Sequence, residues 1–243
     1  MIQMKILFML ILVFNGFYGL GIADDGEVGY SQTYIIFIDD ARAGKETVTE
    51  RTDDKGDRIV ESESEIYLTD GLETNRMAYT TRMILDGKSL KPKSYVYKYA
   101  TGNTGDSYEV SIQGDSITRT LYRGGEASVA TASFQPDTVI LDFNVYHQYD
   151  YVLQKYDSKI GGQQLFSDFI PVIGSHIPVA LTFIGASNLP NKNGTLPVKK
   201  YRVEFAGIRS GTITSDSNGR LVRLEMPDEN LEVVRDDILP ANR

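Results

Sequence analysis

The sequence predicts an all-β protein, built as a strongly curved, mainly antiparallel sheet or incomplete β-barrel of about eleven strands. Three observations predict this fold class. Apolar and polar residues alternate along most of the chain, tight-turn residues separate these stretches, and one segment alone has helical spacing. Alternation with a period of two is typical of antiparallel strands with one buried and one solvated face.

The alternation is clear near the middle of the C-terminal half. Tyr201, Val203 and Phe205 share one face, and charged residues occupy the other. Asn218-Gly219 supplies the positive φ angles that a hairpin turn requires, whereas the polar stretch 188–195 is predicted to be an exposed loop. The short spacing between strands favours a meander over β-α-β units. We expect strands near 33–39, 45–52, 58–68, 75–86, 92–100, 106–113, 116–123, 128–133, 165–171, 178–185 and 196–206, and a final hairpin near 210–235.

The segment from about 145 to 156 is predicted to be the principal helix. Its apolar residues recur at the i, i+3, i+4 and i+7 spacing of an amphipathic helix. Asn144 is suited to cap its start, and two glycines lie beyond its end. We expect this helix to cover the concave face of the sheet, with His147, Asp150 and Tyr151 on a solvated face opposite the apolar stripe.

The N-terminus has the pattern of a cleaved signal peptide. A single cation, Lys5, precedes the apolar run 6–14, and the small residues Gly21 and Ala23 precede two acidic residues. The apolar run is well short of the roughly 20 residues that span a bilayer, which disfavours a membrane anchor. We therefore predict a signal peptide over 1–23 and a single β-rich domain over 24–243, without a transmembrane segment, in the periplasm or secreted.

Composition excludes several function classes. The 243 residues include no cysteine, no tryptophan and only two histidines, and the formal net charge is −8. Without cysteine there is no thiolate nucleophile and no disulfide. An acidic chain without a basic block is a poor nucleic-acid binder. We expect no cofactor, and no residue spacing indicates a metal site.

Both histidines have a catalytic and a structural interpretation. His147 is three residues from Asp150, so a helix would place a base beside a carboxylate. No nucleophile motif accompanies it, and we favour a solvated face. His176 follows Ser175 directly, but neighbours on a strand point to opposite faces, which separates the two groups. We therefore assign no catalytic residue and expect a protein that is not an enzyme.

Tyrosine is abundant, with 15 residues. If the helix packs inward, several tyrosines gather where it meets the sheet, and aromatic rings with polar tips suit an amphipathic ligand. The same rings would also suit plain core packing. The predicted ligand-binding residues are Tyr95, Tyr97, Tyr99, Tyr108, Tyr146, Tyr149, Val152, Leu153 and Tyr156.

Two short stretches and the order of elements carry a family resemblance. The stretches are Phe169-Ile170-Pro171 after the helix and Gly-Arg-Leu-Val-Arg-Leu at 219–224. With the meander and the signal-like start, the chain resembles uncharacterised bacterial envelope domains with the architecture of the lipoprotein-carrier (LolA/LolB-like) half-barrels. The resemblance implies an unclosed barrel whose apolar concavity binds acyl chains. It carries over no individual functional residue, and this chain is more acidic than those carriers.

The sequence thus predicts a non-enzymatic periplasmic binding or carrier protein for an apolar or amphipathic ligand, such as a lipid, an acyl chain or a lipoprotein. One alternative is an envelope protein–protein interaction scaffold, which predicts a filled interior and an exposed apolar patch. A second alternative is a hydrolase that uses His147 as its base.

Overall fold

The computed structural model describes residues 28–70, 73–99, 106–192 and 194–239. The predicted signal peptide at 1–23 lies outside the described residues. Within the described part of the chain, no helix has both the length and the apolar character needed to cross a bilayer.

The described residues contain fifteen strands, which form one continuous sheet. The first eight are β1 (Val28–Ile38), β2 (Ala41–Thr52), β3 (Arg58–Asp70), β4 (Glu73–Leu85), β5 (Pro92–Tyr99), β6 (Ser107–Gln113), β7 (Ser116–Arg123) and β8 (Glu126–Ser133). A two-residue strand β9 (Thr138–Val139), a 3-10 turn (Tyr146–Gln148) and helix α1 (Tyr149–Lys155) follow. The remainder is β10 (Gln163–Ile170), β11 (Ser175–Asn191), β12 (Gly194–Phe205), β13 (Arg209–Ser215), β14 (Leu221–Met226) and β15 (Leu231–Arg235), with 3-10 turns at Pro227–Glu229 and Asp236–Ile238.

The strand order joins two meanders back to back. It runs β8-β7-β6-β5-β4-β3-β2-β1-β15-β14-β13-β12-β11-β10-β9, so β1 pairs with both β2 and β15. Every neighbouring pair is antiparallel except β9 with β10. The sheet is strongly curved and unclosed, and the predicted fold class is therefore confirmed.

The strand count differs from the prediction for two reasons. The stretch 210–235, predicted as one hairpin, contains the three strands β13, β14 and β15, and the two-residue β9 was not predicted. The predicted loop at 188–195 is also wrong, because β11 and β12 continue through it to a turn between Asn191 and Gly194. Leu189 and Leu196 of this extended hairpin pack on an apolar cluster that includes Ile35 and Val222. That contact explains why a polar-looking stretch is ordered as strand.

The helical segment lies inside the curve of the sheet. The helix α1 is shorter than predicted, because its first turn is 3-10. Strands from both meanders surround it: Arg58 of β3 donates a hydrogen bond to Gln154 (3.0 Å), and Gly219 of the β13–β14 turn packs on Gln154 from the other side. Two features of this position favour glycine. Gly219 has a φ of +72°, and a Cβ there would lie 3.0 Å from the Gln154 side chain.

The two outer edges of the sheet approach each other at one end. His176 lies at the start of β11, and its Nδ1 is hydrogen-bonded to Ser167 Oγ of β10 (2.8 Å). Its Nε2 lies 2.9 Å from the carbonyl oxygen of Ser133, at the end of β8. Arg119 of β7 donates to the carbonyl oxygen of Val172 (3.0 Å) in the β10–β11 turn. Side-chain hydrogen bonds thus connect the two outer edges of the sheet across a gap that backbone pairing does not close, which we call the seam.

Candidate functional site

The expectation that one face of the helical segment is solvated is wrong. His147 and Asp150 are each 1 % exposed, and Tyr151 is also buried. The cause is the curvature of the sheet, which surrounds the segment and leaves it no free side. Polar residues at helical spacing therefore meet polar partners on the strands instead of water.

Glu46 of β2 anchors the beginning of this segment. Its Oε2 accepts hydrogen bonds from the backbone N–H groups of Tyr146 (2.9 Å) and His147 (3.0 Å). Its Oε1 lies 2.8 Å from Nδ1 of the His147 ring. Since Nδ1 contacts Glu46 and the ring is buried, the geometry favours a structural role for His147 over that of a hydrolase base.

Arg220 anchors the first turn of α1. It donates to both carboxylate oxygens of Glu50 (2.9 and 3.0 Å) and to Asp150 (3.2 Å). The N–H of Leu221 also donates to Asp150 (2.6 Å). Burial raises the pKa of Asp150 to about 6 against the opposing effect of Arg220. For Glu50 the balance is reversed: burial opposes ionisation, but Arg220 and Tyr151 lower its pKa.

Several tyrosines of the N-terminal meander pack together beside the segment before α1, and the hydroxyl groups of two of them, Tyr95 and Tyr108, bind a carboxyl group of the protein. Tyr97 stacks between Tyr79 and Tyr108, with ring centroids 5.2 and 4.8 Å apart. Tyr95 donates to Asp142 Oδ2 (2.9 Å), and Tyr108 donates to the same oxygen. Burial raises the pKa of Asp142 to about 6, and these hydrogen bonds oppose the rise. The hydroxyl groups of Tyr95 and Tyr108 thus hold Asp142, and with it the segment that precedes α1, against the sheet.

The other predicted binding residues divide between core and cavity. Val152 and Leu153 are buried in the core. Tyr156 packs edge-on against Tyr201 at a centroid distance of 5.1 Å, and its hydroxyl donates to the Gly162 carbonyl (2.8 Å). Tyr99 is partly buried and packs at the margin of the core cluster. Tyr146 and Tyr149 line a cavity.

This cavity, which we call the mouth cavity, has a volume of about 190 Å³. It lies at the end of the sheet where the β10–β11 and β12–β13 turns meet the segment before α1. Its lining is mainly apolar and consists of Leu141, Asp142, Phe143, Asn144, Tyr146, Tyr149, Asp168, Ile170, Ile173, Ile177, Phe205, Ile208 and Arg209.

Three apolar lining residues of the mouth cavity face solvent. Phe143 is 46 % exposed, Ile173 is 56 % exposed and Ile208 is 85 % exposed. Ile173 and Ile208 occupy turns, where polar residues are the rule. Exposed apolar residues that surround an apolar cavity indicate a surface that receives an apolar group.

Asp168 is one of the polar residues that line the mouth cavity. It is 1 % exposed, and its Oδ1 accepts a hydrogen bond from the N–H of Leu141 (2.8 Å). Its Oδ2 is buried and has no hydrogen-bond partner among the described residues. Burial raises the pKa of Asp168 well above its usual value, and the nearby Asp142 adds to the rise.

The polar part of the mouth cavity also contains a cation, Arg209, and the hydroxyl groups of Tyr146 and Tyr149, beside Asp142 and Asn144. Arg209 forms an ion pair with Glu229 (2.8 Å) and lies over the ring of Phe205, 4.9 Å from its centroid. Burial raises the pKa of Tyr149 and Tyr146, and the positive charge of Arg209 opposes both rises. Both phenols therefore stay protonated at neutral pH and can donate hydrogen bonds.

Sequence reasoning found Tyr146 and Tyr149 but missed Asp168 and the exposed rim. Two signals could have revealed them. Ile173 and Ile208 are apolar residues between predicted strands, and Asp168 is an acid among the apolar residues Phe166, Phe169 and Ile170 of β10. Within the described ranges, no three histidine, aspartate or glutamate side chains are grouped as a metal site would require.

No protein-family model and no curated protein matches the chain. Among solved structures, its fold is similar to that of a β-barrel-like protein from Brucella abortus, a domain of unknown function named DUF1849. The two chains are 10 % identical with a TM-score of 0.58, over 86 % of this chain and 97 % of that chain. The likeness supports the β-barrel-like fold and assigns no ligand.

Proposed function

We propose that this chain is an exported, non-enzymatic binding or carrier protein, and that the mouth cavity binds the apolar part of a small or amphipathic ligand such as a lipid. The single observation that carries the proposal is the mouth cavity itself, a partly enclosed and mainly apolar space whose lining includes the exposed side chains of Phe143, Ile173 and Ile208. Elsewhere the interior of the curved sheet is packed with the helical segment and its anchors.

The size of the mouth cavity limits what enters. A dry cavity of about 150 Å³ is enough for benzene, and the mouth cavity holds about 190 Å³. One ring or a short alkyl segment therefore fits, and the rest of a longer ligand would lie on the exposed rim. Burial of about 100 Å² of apolar surface would contribute roughly 2.5 kcal/mol before ordering costs. Such binding would be weak and reversible, as transient carriage requires.

In this proposal the protein is located in the periplasm or outside the cell. The charged start, short apolar run and small residues of 1–23 support export. The resemblance to lipoprotein-carrier half-barrels supports a lipid or lipoprotein ligand, and the acidic composition argues against nucleic acid.

A second candidate function is docking of an envelope protein partner. The filled interior favours it, since a scaffold needs no internal container. In this case an apolar side chain of the partner would occupy the mouth cavity, and the exposed rim would form the centre of the interface.

The test compares rim variants with a matched control. Sodium octanoate is titrated into the ¹⁵N-labelled mature protein, and amide shifts are followed. Ile173→Asp and Ile208→Asp should each weaken binding about fivefold, roughly 1 kcal/mol, because a charge replaces apolar contact area. Ile160→Asp is the control, since Ile160 is 75 % exposed but lies outside the mouth cavity. Equal effects of all three substitutions, or no octanoate binding at all, would contradict the proposal.

Mass spectrometry of material extracted from the purified protein distinguishes the two candidate functions. Reproducible, stoichiometric lipid in protein prepared without detergent supports carriage. A blank extract, together with rim-dependent capture of an envelope protein by crosslinking at position 208, supports docking.

A further inference from the structure

The polar groups of the mouth cavity specify the ligand further. This inference rests on the proposed function, because it concerns what the same cavity recognises. Most buried polar atoms in proteins have a hydrogen-bond partner, so an exception inside a binding cavity calls for an explanation. Asp168 Oδ2 is such an exception within the described part of the chain.

Asp168 is a neutral carboxylic acid in the unliganded cavity. Arg209, which lines the same cavity, opposes the rise in the Asp168 pKa but forms its ion pair with Glu229. No described arginine, lysine or histidine nitrogen forms an ion pair with Asp168 itself, and a buried carboxylate without a direct cationic partner is disfavoured. The N–H of Leu141 occupies Oδ1. The proton therefore belongs on Oδ2, where it forms an O–H donor that lacks an acceptor.

Asp142 and Asn144 also line the cavity, but the carboxyl oxygens of Asp142 already accept hydrogen bonds from Tyr95, Tyr108 and the Phe143 N–H. The other polar neighbours of Asp168 are donors. The hydroxyl groups of Tyr146 and Tyr149 belong to residues that line the same cavity, and the guanidinium of Arg209 is close enough to affect both electrostatically. A ligand group that accepts hydrogen bonds would satisfy this arrangement. A ligand ammonium group would instead place three further donors and a positive charge beside Arg209.

We propose that the part of the ligand inside the mouth cavity carries a carbonyl or carboxyl oxygen, which accepts a hydrogen bond from the carboxylic acid of Asp168, with Tyr149 as the neighbouring donor. The ligand class is thus an acyl compound or ketone with a short apolar body. No bond is made or broken, and Asp168 acts as a recognition residue.

Three probes of nearly equal shape test the proposal on the full mature protein. Cyclohexanone offers an acceptor, methylenecyclohexane replaces its oxygen with CH₂, and cyclohexylamine offers an ammonium group. Binding is measured by NMR titration at pH 7. Because the hydrocarbon is the more hydrophobic probe, the decisive quantity is how each variant changes the affinity for each probe, not the raw order of affinities.

Two substitutions of Asp168 separate its roles. Asp168→Asn keeps an acceptor for Leu141 and an N–H donor at the second position, so cyclohexanone affinity should stay within about twofold. Asp168→Val removes the donor and should weaken cyclohexanone about tenfold, the equivalent of one hydrogen bond of about 1.4 kcal/mol. It should leave methylenecyclohexane within about twofold. If Asp168→Val does not fold, Asp168→Asn and Tyr149→Phe still test the proposal. Tyr149→Phe should weaken the binding of cyclohexanone about threefold and leave the binding of the other two probes unchanged.

The outcomes distinguish this inference from the function on which it rests. Binding of methylenecyclohexane with no selective effect of Asp168→Val or Tyr149→Phe on cyclohexanone would overturn the acceptor proposal and leave the mouth cavity as an apolar site. Tight cyclohexylamine binding that Asp168→Asn abolishes would overturn it in favour of an ammonium ligand. Failure of all three probes and of octanoate to bind would overturn the proposed function itself.

Discussion

Glu46 holds His147 by main chain and side chain at once, since one carboxylate oxygen accepts the His147 N–H (3.0 Å) and the other lies 2.8 Å from the imidazole Nδ1. Both residues are almost completely buried. The contact fixes the first turn of the internal segment against β2. The mouth cavity depends on it, because Tyr146 belongs to the same turn.

Removal of the Glu46 carboxylate should destabilise the fold strongly. In Glu46→Ala, the buried N–H groups of Tyr146 and His147 lose their acceptor, and each unsatisfied group costs about 1–3 kcal/mol. We expect a loss of about 3 kcal/mol in the free energy of unfolding, measured by urea denaturation. Glu63→Ala on the neighbouring strand is the control, because Glu63 is exposed and should cost less than about 0.5 kcal/mol. Similar losses in both variants would contradict an anchoring role.

The hydroxyl group of Tyr95 should stabilise the fold more at high pH than at low pH. Asp142, its acceptor, has a pKa raised to about 6 by burial. Above that pH the bond goes to a charged group and is worth about 1.5–3 kcal/mol, whereas below it the value falls to about 1 kcal/mol. Tyr95→Phe should therefore cost more at pH 8 than at pH 5. Tyr97→Phe, which stacks on Tyr108 but does not bond Asp142, should show no such difference.

Stability should fall as pH rises above about 4, because the fold retains protons that the unfolded chain releases. Burial raises the pKa of Asp142 and Asp150 to about 6, and it raises the pKa of Asp168 well above its usual value. Each proton held only by the folded state contributes a slope of about −1.4 kcal/mol per pH unit. Asp168 contributes to this slope up to the pH at which its own carboxyl group ionises. Asp168→Asn should flatten that part of the profile by up to this slope, and an unchanged profile would show that Asp168 is ionised.

The bridge across the seam should slow opening of the β8 edge. His176→Ala removes the contact with the Ser133 carbonyl and with Ser167. Hydrogen exchange measured by mass spectrometry should become at least about threefold faster in residues 126–133, because edge strands open locally before the core. Ser175→Ala, an exposed neighbour, should leave the exchange rate unchanged. Unchanged exchange in the histidine variant would mean that other contacts hold the seam.

The sequence predicted the elements well because the causes are local. All eleven expected strands have counterparts, and the helical spacing at 145–156 marks the single internal segment. The prediction of a solvated face on that segment was wrong, because the exposure of its side chains depends on strands from both halves of the chain. Glu46 and Tyr146 are 100 residues apart, and no local pattern links them. The mouth cavity escaped prediction for the same reason: Asp168, Ile208 and Phe143 are brought together by three separate parts of the chain.

A crystal soaked in cyclohexanone tests the central claim most directly. The account predicts one ordered molecule in the mouth cavity, with its oxygen within hydrogen-bond distance of Asp168 Oδ2 and its ring against Phe205 and Ile173. An empty mouth cavity, or a probe bound elsewhere on the molecule while that cavity stays vacant, would contradict it.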